Sequence, residues 1–93
     1  MSNQADDKKL VKRVLKGDKG AFDLLVLKFL HTFVNLVLRY VRDPELALDI
    51  TQEAFIKAYR ALPRFRGESA FYTWMYRIAV NTAKNHLAAQ RRR

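Results

Sequence analysis

The chain has no cysteine, which excludes disulfides and thiolate metal sites and fits a reducing compartment. Its two histidines, His31 and His86, lie far apart in sequence, and its three glycines form neither of the common phosphate-binding loops. No uninterrupted run of about 18 apolar residues occurs. The N-terminus, Met1-Ser2-Asn3-Gln4-Ala5-Asp6-Asp7, is polar and acidic, so neither a signal peptide nor a membrane anchor is expected, and the default location is the cytoplasm. Strand-like alternation and internal repeats are missing too. Acid is nearly absent from one part of the chain: residues 57–93 carry nine Lys or Arg against Glu68 alone, while residues 1–56 balance nine cations against eight acids. A field of one sign confined to one part of a small protein selects a polyanion, either nucleic acid or an anionic membrane surface.

What is present is a 93-residue chain, 49% apolar and 12% aromatic, enough for one domain over 1–93 with a modest core. The reading predicts an ordered part over about 6–89, with 90–93 as a basic tail or the start of a linker. Asp6 or Asp7 is expected to cap a short helix carrying Leu10, Val11, Val14 and Leu15, closed by Gly17. Asp18 is placed to cap a second helix over about Lys19 to Val41, with Phe22 packing back across its first turn. The polar residues of this second helix, Lys28, Thr32, Asn35, Arg39 and Arg42, fall on one narrow stripe, with solvated His31 beside it. A helix so apolar is central to a bundle or has a partner.

Asp43-Pro44-Glu45 is a strong start signal for a third helix, which runs to Leu62 and is stopped by Pro63. Leu48, Phe55, Tyr59 and Leu62 are expected to form its core stripe. Asp49, Gln52, Glu53, Ile56 and Arg60 share the other face, either solvated or a docking face for another protein. Pro63 to Ser69 reads as an ordered loop, with Gly67 freeing the backbone and Ser69 available to cap the next helix. Within it Phe65 either plugs the gap between helices or stacks on a base, and Arg64 and Arg66 suit phosphate contacts. The fourth helix, Ala70 to about Ala89, has a core stripe of Phe71, Trp74, Met75, Ile78 and Thr82. Its opposite face carries Thr73, Arg77, Asn81, Lys84 and Ala88 with Tyr76 flanking, and no acid, which suits close approach to a nucleic-acid strand. Four helices joined by short loops, one short and three longer, make an all-α bundle.

Catalysis would need a nucleophile with its base, a metal set, or paired carboxylates facing one cleft. None assembles here. Asp49 and Glu53, one turn apart, lack anything to complete a coordination shell. No enzyme activity, cofactor or metal is therefore expected.

Two passages combine into a more specific pattern. Asp49-Ile-Thr-Gln52-Glu53-Ala-Phe55-Ile-Lys-Ala-Tyr59-Arg60, followed by Phe65-Arg66-Gly67-Glu68-Ser69-Ala-Phe-Tyr-Thr-Trp74-Met-Tyr-Arg77-Ile-Ala-Val-Asn81-Thr-Ala-Lys84-Asn, resembles region 2 of the bacterial extracytoplasmic-function sigma factors, nearest to the sigma-E type. The resemblance runs from about Leu10 to Arg93. It implies that the third helix docks on the clamp helices of the RNA polymerase beta-prime subunit, with Asp49, Gln52 and Glu53 in that motif and Ile56 and Arg60 on the same face. It implies that the loop (Arg64, Phe65, Arg66, Gly67, Glu68, Ser69) and the fourth helix (Tyr76, Arg77, Asn81, Lys84) capture the non-template strand of the promoter -10 element, with one base turned out into a pocket of the loop. A membrane-bound anti-sigma factor is a further implied partner, without membrane insertion of this chain.

Two departures from the family pattern stand out. Housekeeping sigma factors wedge the duplex with adjacent tryptophans, whereas this chain has Trp74 alone, so weaker promoter opening and narrower sequence tolerance are implied. The family also carries a C-terminal region 4, and the chain stops at a basic tail where the linker should begin, which implies an excised or truncated product. The rival readings are a general duplex DNA-binding helical module using the fourth helix in the major groove, and a protein-binding adaptor whose basic half only solubilises.

Overall fold

The structure, a computed structural model, describes residues 4–92. Four helices form in the expected order, α1 (Gln4–Leu15), α2 (Lys19–Val41), α3 (Pro44–Ala61) and α4 (Phe71–Arg91), with a 3-10 turn at Leu62–Arg64. The fold is an all-α bundle, and among the described residues there is no strand. Its extents are 42 × 26 × 22 Å. A 23-residue helix such as α2 spans roughly 35 Å at about 1.5 Å per residue, so helix length sets the long dimension.

α2 is central because its sequence leaves no alternative. Phe22, Leu25, Phe29, Phe33 and Val37 recur at three and four residues, all buried, and α1, α3 and α4 each pack on the helix. By length and mean hydropathy (1.7) α2 could also cross a membrane, with 33% of that window buried, but a helix surrounded by three others needs the same composition. The predicted polar stripe of Lys28, Thr32, Asn35, Arg39 and Arg42 is exposed along its length. Asp18 caps the start by accepting from Ala21 N at 3.3 Å, and Arg42, at φ 59°, closes the end by donating its backbone N–H to Leu38 O.

α3 begins as its sequence indicates: Asp43 Oδ1 accepts from the backbone N–H groups of Glu45 and Leu46, and Pro44 occupies the first turn. Its core stripe differs from the expected one. Leu48 and Tyr59 are each 39% exposed, while Ala47, Ile50, Thr51, Ala54, Phe55, Ala58 and Leu62 are buried. The reason is close approach: Ala47, Ala54 and Ala58 of α3 and Ala79 and Ala83 of α4 are fully buried, small residues that let backbones come together where a leucine would not fit. Tyr59 instead lays its ring edge-on against Phe22, 5.1 Å between centroids. Phe22 therefore packs across to α3. The buried hydroxyls of Thr51 and Thr82 donate to the carbonyls of Ala47 and Ile78 at 2.7 Å, which removes the cost of burying them.

Three terminal expectations are corrected. α1 starts at Gln4, so Asp6 and Asp7 lie inside its first turn; Asp7 is buried and meets Lys28 Nζ of α2 at 2.5 Å. Ser69 does not cap α4. Ala70 is the residue with extended backbone before the helix, with no side-chain cap, so the serine sits one position too early. The Gln90–Arg92 part of the predicted tail continues α4 as helix through Arg91, and Arg93 lies outside the described residues, as do Met1 to Asn3. Gly17, at φ 102°, ends α1 as expected, with Gly17 N–H on Val14 O and Asp18 N–H on Arg13 O, the paired bonds of a Schellman motif.

Phe33 is fully buried and its ring lies against Phe29 (6.0 Å), Phe55 (6.1 Å) and Tyr72 (5.2 Å), joining three helices. Phe33→Ala is expected to lower unfolding stability by about 3–5 kcal/mol, the usual range for an emptied aromatic site. Urea denaturation measures it, and a loss under about 1 kcal/mol would contradict this central position.

Candidate nucleic-acid interface

The chain between α3 and α4 is short and held at several points. Pro63 sits in the 3-10 turn, and Phe65 donates its N–H to Leu62 O at 2.9 Å. The Phe65 ring lies 4.8 Å from that of Trp74, which lies 5.8 Å from Phe71, so a run of three aromatics fastens the loop to the head of α4. Phe65 and Trp74 are half-buried against the core. Gly67 adopts φ 74°, a left-handed conformation in which a side chain would be strained although nothing lies within 4 Å of a Cβ built there.

This loop forms a hollow of about 230 Å³ lined by Arg64, Phe65, Arg66, Glu68, Ser69, Trp74 and Arg77. Six of these seven are residues singled out from sequence for strand contact, and the structure brings them around one space. Gly67 is not among them; it faces the opposite side of the loop, towards α1. Asn81 and Lys84 lie farther along α4 on the same exposed side as Arg77, one and two turns on, and Tyr76 is 39% exposed beside them. Tyr72, absent from the sequence-based set, is also partly exposed; its ring stacks on Phe33 at 5.2 Å and neighbours Tyr76 at 6.2 Å. α4 contains no acidic residue, so nothing on the helix itself offsets Arg77, Lys84 and Arg91.

The α3 face is less uniform than its spacing suggested. Gln52 and Ile56, with Ile56 53% exposed, border a groove of about 570 Å³ between α2 and α3 whose walls are mainly Phe22, Val26, Leu30, Phe55 and Tyr59. Asp49 is exposed. Arg60 turns away from the groove and lines a different hollow with Val14 and Leu15 of α1.

Glu53 lies between the two faces. Its Oε2 meets Lys57 Nζ at 3.1 Å, and its Oε1 meets His86 Nε2 of α4 at 3.1 Å. The His86 ring first, and the Lys57 ammonium second, hold its carboxyl below the usual glutamate range. Spacing within α3 places Lys57 beside Glu53, but the His86 contact depends on how α4 crosses α3, and no sequence periodicity reports that. Among the described residues no three His, Cys, Asp or Glu side chains gather as a metal site would require.

Comparison with known proteins settles the ancestry of this arrangement. The family model for sigma-70 region 2 matches residues 25–93, which include the α3 side of the groove, the loop and the whole of α4. The chain belongs to the sigma-70 region 2 family. Within it the similarity is to the sigma-E type. The chain is 63% identical over 93 residues to the RNA polymerase sigma-H factor of Pseudomonas aeruginosa, and 62% identical over the same length to the ECF RNA polymerase sigma-E factor of Escherichia coli K12. It spans 48% of each of these relatives, about half their length. Among solved structures, an engineered region 2 of sigmaE in complex with GTAAAA superposes with a TM-score of 0.87 at 56% identity, covering 99% of this chain and 96% of that one. The resemblance drawn from Asp49–Asn85 therefore holds at the level of family and fold.

The Glu53–His86 contact has a measurable consequence. Because the folded carboxyl titrates below the unfolded value, near 4.5, the pair stabilises the fold above that pH and its contribution is lost as pH falls through the folded value. His86→Ala should move the Glu53 carboxyl midpoint upward in a carbon-detected NMR titration. An unmoved midpoint would remove the histidine as the cause.

Proposed function

We propose that this region 2 domain, 1–93, acts in the cytoplasm as the polymerase-binding and promoter-opening part of an alternative sigma factor, directing transcription initiation without catalysing a reaction. The observation that carries the reading is the loop hollow, in which three arginines, a carboxylate, a hydroxyl and two rings converge at the head of an acid-free helix. The related engineered region 2 in complex with GTAAAA supports it, because that sequence contains thymine and is not self-complementary, as expected of a single DNA strand.

The mechanism follows from the chemistry of the hollow. A base leaving the stack costs a few kcal/mol, which the site must return. The Trp74 and Phe65 rings, 4.8 Å apart and tilted by 33°, offer apolar surface at the hollow, and stacking on an aromatic ring contributes about 1–3 kcal/mol per base. Glu68 and Ser69 are placed to hydrogen-bond the polar edge of the captured base, while Arg64, Arg66 and Arg77 meet the flanking phosphates. Asn81 and Lys84 continue the track along α4 beside Tyr76, one amide for a base edge and one cation for the backbone. Opening is capture of a strand that thermal fluctuation has already freed, and no nucleotide hydrolysis is needed.

The α3 face takes the protein partner. Asp49, Gln52, Glu53 and Ile56 combine exposed polar groups with one exposed apolar side chain beside the apolar groove, the mixture of a docking surface for helices such as those of the beta-prime clamp. Arg60 meets the edge of that partner from the α1 side. An anti-sigma factor that covers the groove would block the same surface.

The test separates the two faces. Gln52→Ala with Glu53→Ala should weaken association with core RNA polymerase at least tenfold and leave affinity for a GTAAAA-containing single strand unchanged; equal loss of both would sink the division. Arg77→Ala and Lys84→Ala should each lower the salt slope of single-strand binding by about 0.7, the value for one phosphate contact. Preference for the duplex form of the same oligonucleotide would instead favour a groove-binding module.

A further inference from the structure

Glu53 follows Gln52 and stands one turn after Asp49 on α3, and its carboxylate is held from two directions. Lys57 Nζ of the same helix meets Oε2 and His86 Nε2 of α4 meets Oε1, both at 3.1 Å. The two side chains of the interhelix contact keep 44% and 35% of their surface in solvent. A pair so exposed adds little to stability, so a strap between α3 and α4 is a poor account of it. A carboxylate offers about four acceptor sites, and with two of them filled an outside donor still has room to bind.

The chemistry of the ring decides what such a donor meets. A carboxylate only accepts, so Nε2 carries the hydrogen of this contact and a further proton goes to Nδ1. The bond survives that step and the charge changes. With a neutral ring, Glu53 and Lys57 cancel; with an imidazolium, the three groups together carry one positive charge. Imidazole is the side chain whose ordinary titration falls between pH 5 and 8. The other charges on the packed elements are Asp49 and Glu45 of α3, Arg77, Lys84 and Arg91 of α4, and Arg39 and Arg42 of α2, with Tyr40 of α2 packed against the core. Asp7 of α1 is paired with Lys28 of α2. Among the described residues no ion pair other than that with Glu53 involves His86.

We infer that His86 is a positioning residue for the docking carboxylate: as a neutral ring it orients Glu53 towards a basic group of the polymerase, and as an imidazolium it competes with that group. Polymerase docking then weakens as pH falls through the imidazole range. The inference rests on the assignment of the α3 face to polymerase, and it adds that the polymerase group opposite Glu53 is a cation.

The experiment measures the affinity of the 93-residue chain for core RNA polymerase at about pH 7.5 and about pH 5.5, on either side of the imidazole range, at one salt concentration. Wild type is compared with His86→Gln at each pH, so that titration elsewhere in either protein cancels. The glutamine amide keeps a donor for Glu53 and stays neutral. The two chains should bind alike at the higher pH, and wild type should bind about fivefold more weakly than His86→Gln at the lower one, the scale of one exposed charge pair. His86→Lys, cationic at both, should show that deficit at both. Glu53→Gln should abolish the difference between the two chains. An equal ratio of wild type to His86→Gln at the two pH values is the mark of a merely structural contact and overturns the inference, as does a pH effect that persists in Glu53→Gln. Undiminished polymerase association in the Gln52→Ala, Glu53→Ala chain overturns the docking reading itself, and the inference with it. Circular dichroism at both pH values checks that each variant is folded, and His86→Lys reports independently of His86→Gln.

Discussion

The apolar face of α2 has to be removed from water, and the rest of the molecule is the means of doing so. Its large buried side chains, Phe22, Leu25, Phe29, Phe33 and Val37, lie on a helix too short of polar surface to stand alone. α3 covers it through Phe55, α4 through Phe71 and Tyr72, and α1 through Val11 and the Asp7–Lys28 pair. Because each covering helix turns one face inward for this purpose, its outer face is released from any duty to the core. Most of the groups proposed for polymerase and DNA are on those outer faces, while Phe65 and Trp74, half-buried against the core, and Glu53, paired with His86, also serve the fold.

Precision at the loop has a related origin. A nine-residue connection, 62–70, that includes a glycine would ordinarily sample many conformations, at a cost on binding. Here the Phe65–Trp74–Phe71 run ties it to the core that α2 nucleates, and the 3-10 turn fixes where it leaves α3. The loop is thereby held in one shape by its own contacts with the fold.

Much of this was legible in the residues. Asp18 and Asp43 mark the starts of α2 and α3 because capping chemistry is local, and the polar stripe of α2 and the acid-free side of α4 follow from 3.6-residue periodicity. The family resemblance carried the loop. What sequence missed has definite causes. Leu48 and Tyr59 set the expected core stripe of α3 about one residue off, because large apolar side chains are visible to a periodicity argument and the fully buried alanines are not. Ser69 is a good cap in the wrong register by one residue. The Glu53–His86 contact joins residues 33 apart, and only the crossing of two helices determines it. Tyr72 was passed over because its side chain divides its surface between Phe33 and solvent.

The mixed charge of the loop hollow bears on what it selects. A site built for phosphate alone gains from arginines and only loses from a carboxylate, yet Glu68 lies among Arg64, Arg66 and Arg77. An ionised carboxylate accepts hydrogen bonds and donates none, so it favours edges that carry an amino group, adenine N6, cytosine N4 or guanine N2, and opposes a phosphate in the same place. On the function proposed above, the arginines would retain the backbone on either side and the carboxylate would keep the backbone out of the centre. A base is the one part of a DNA strand that would satisfy both conditions, so the function proposed above asks a reader of this hollow and not merely an anion binder.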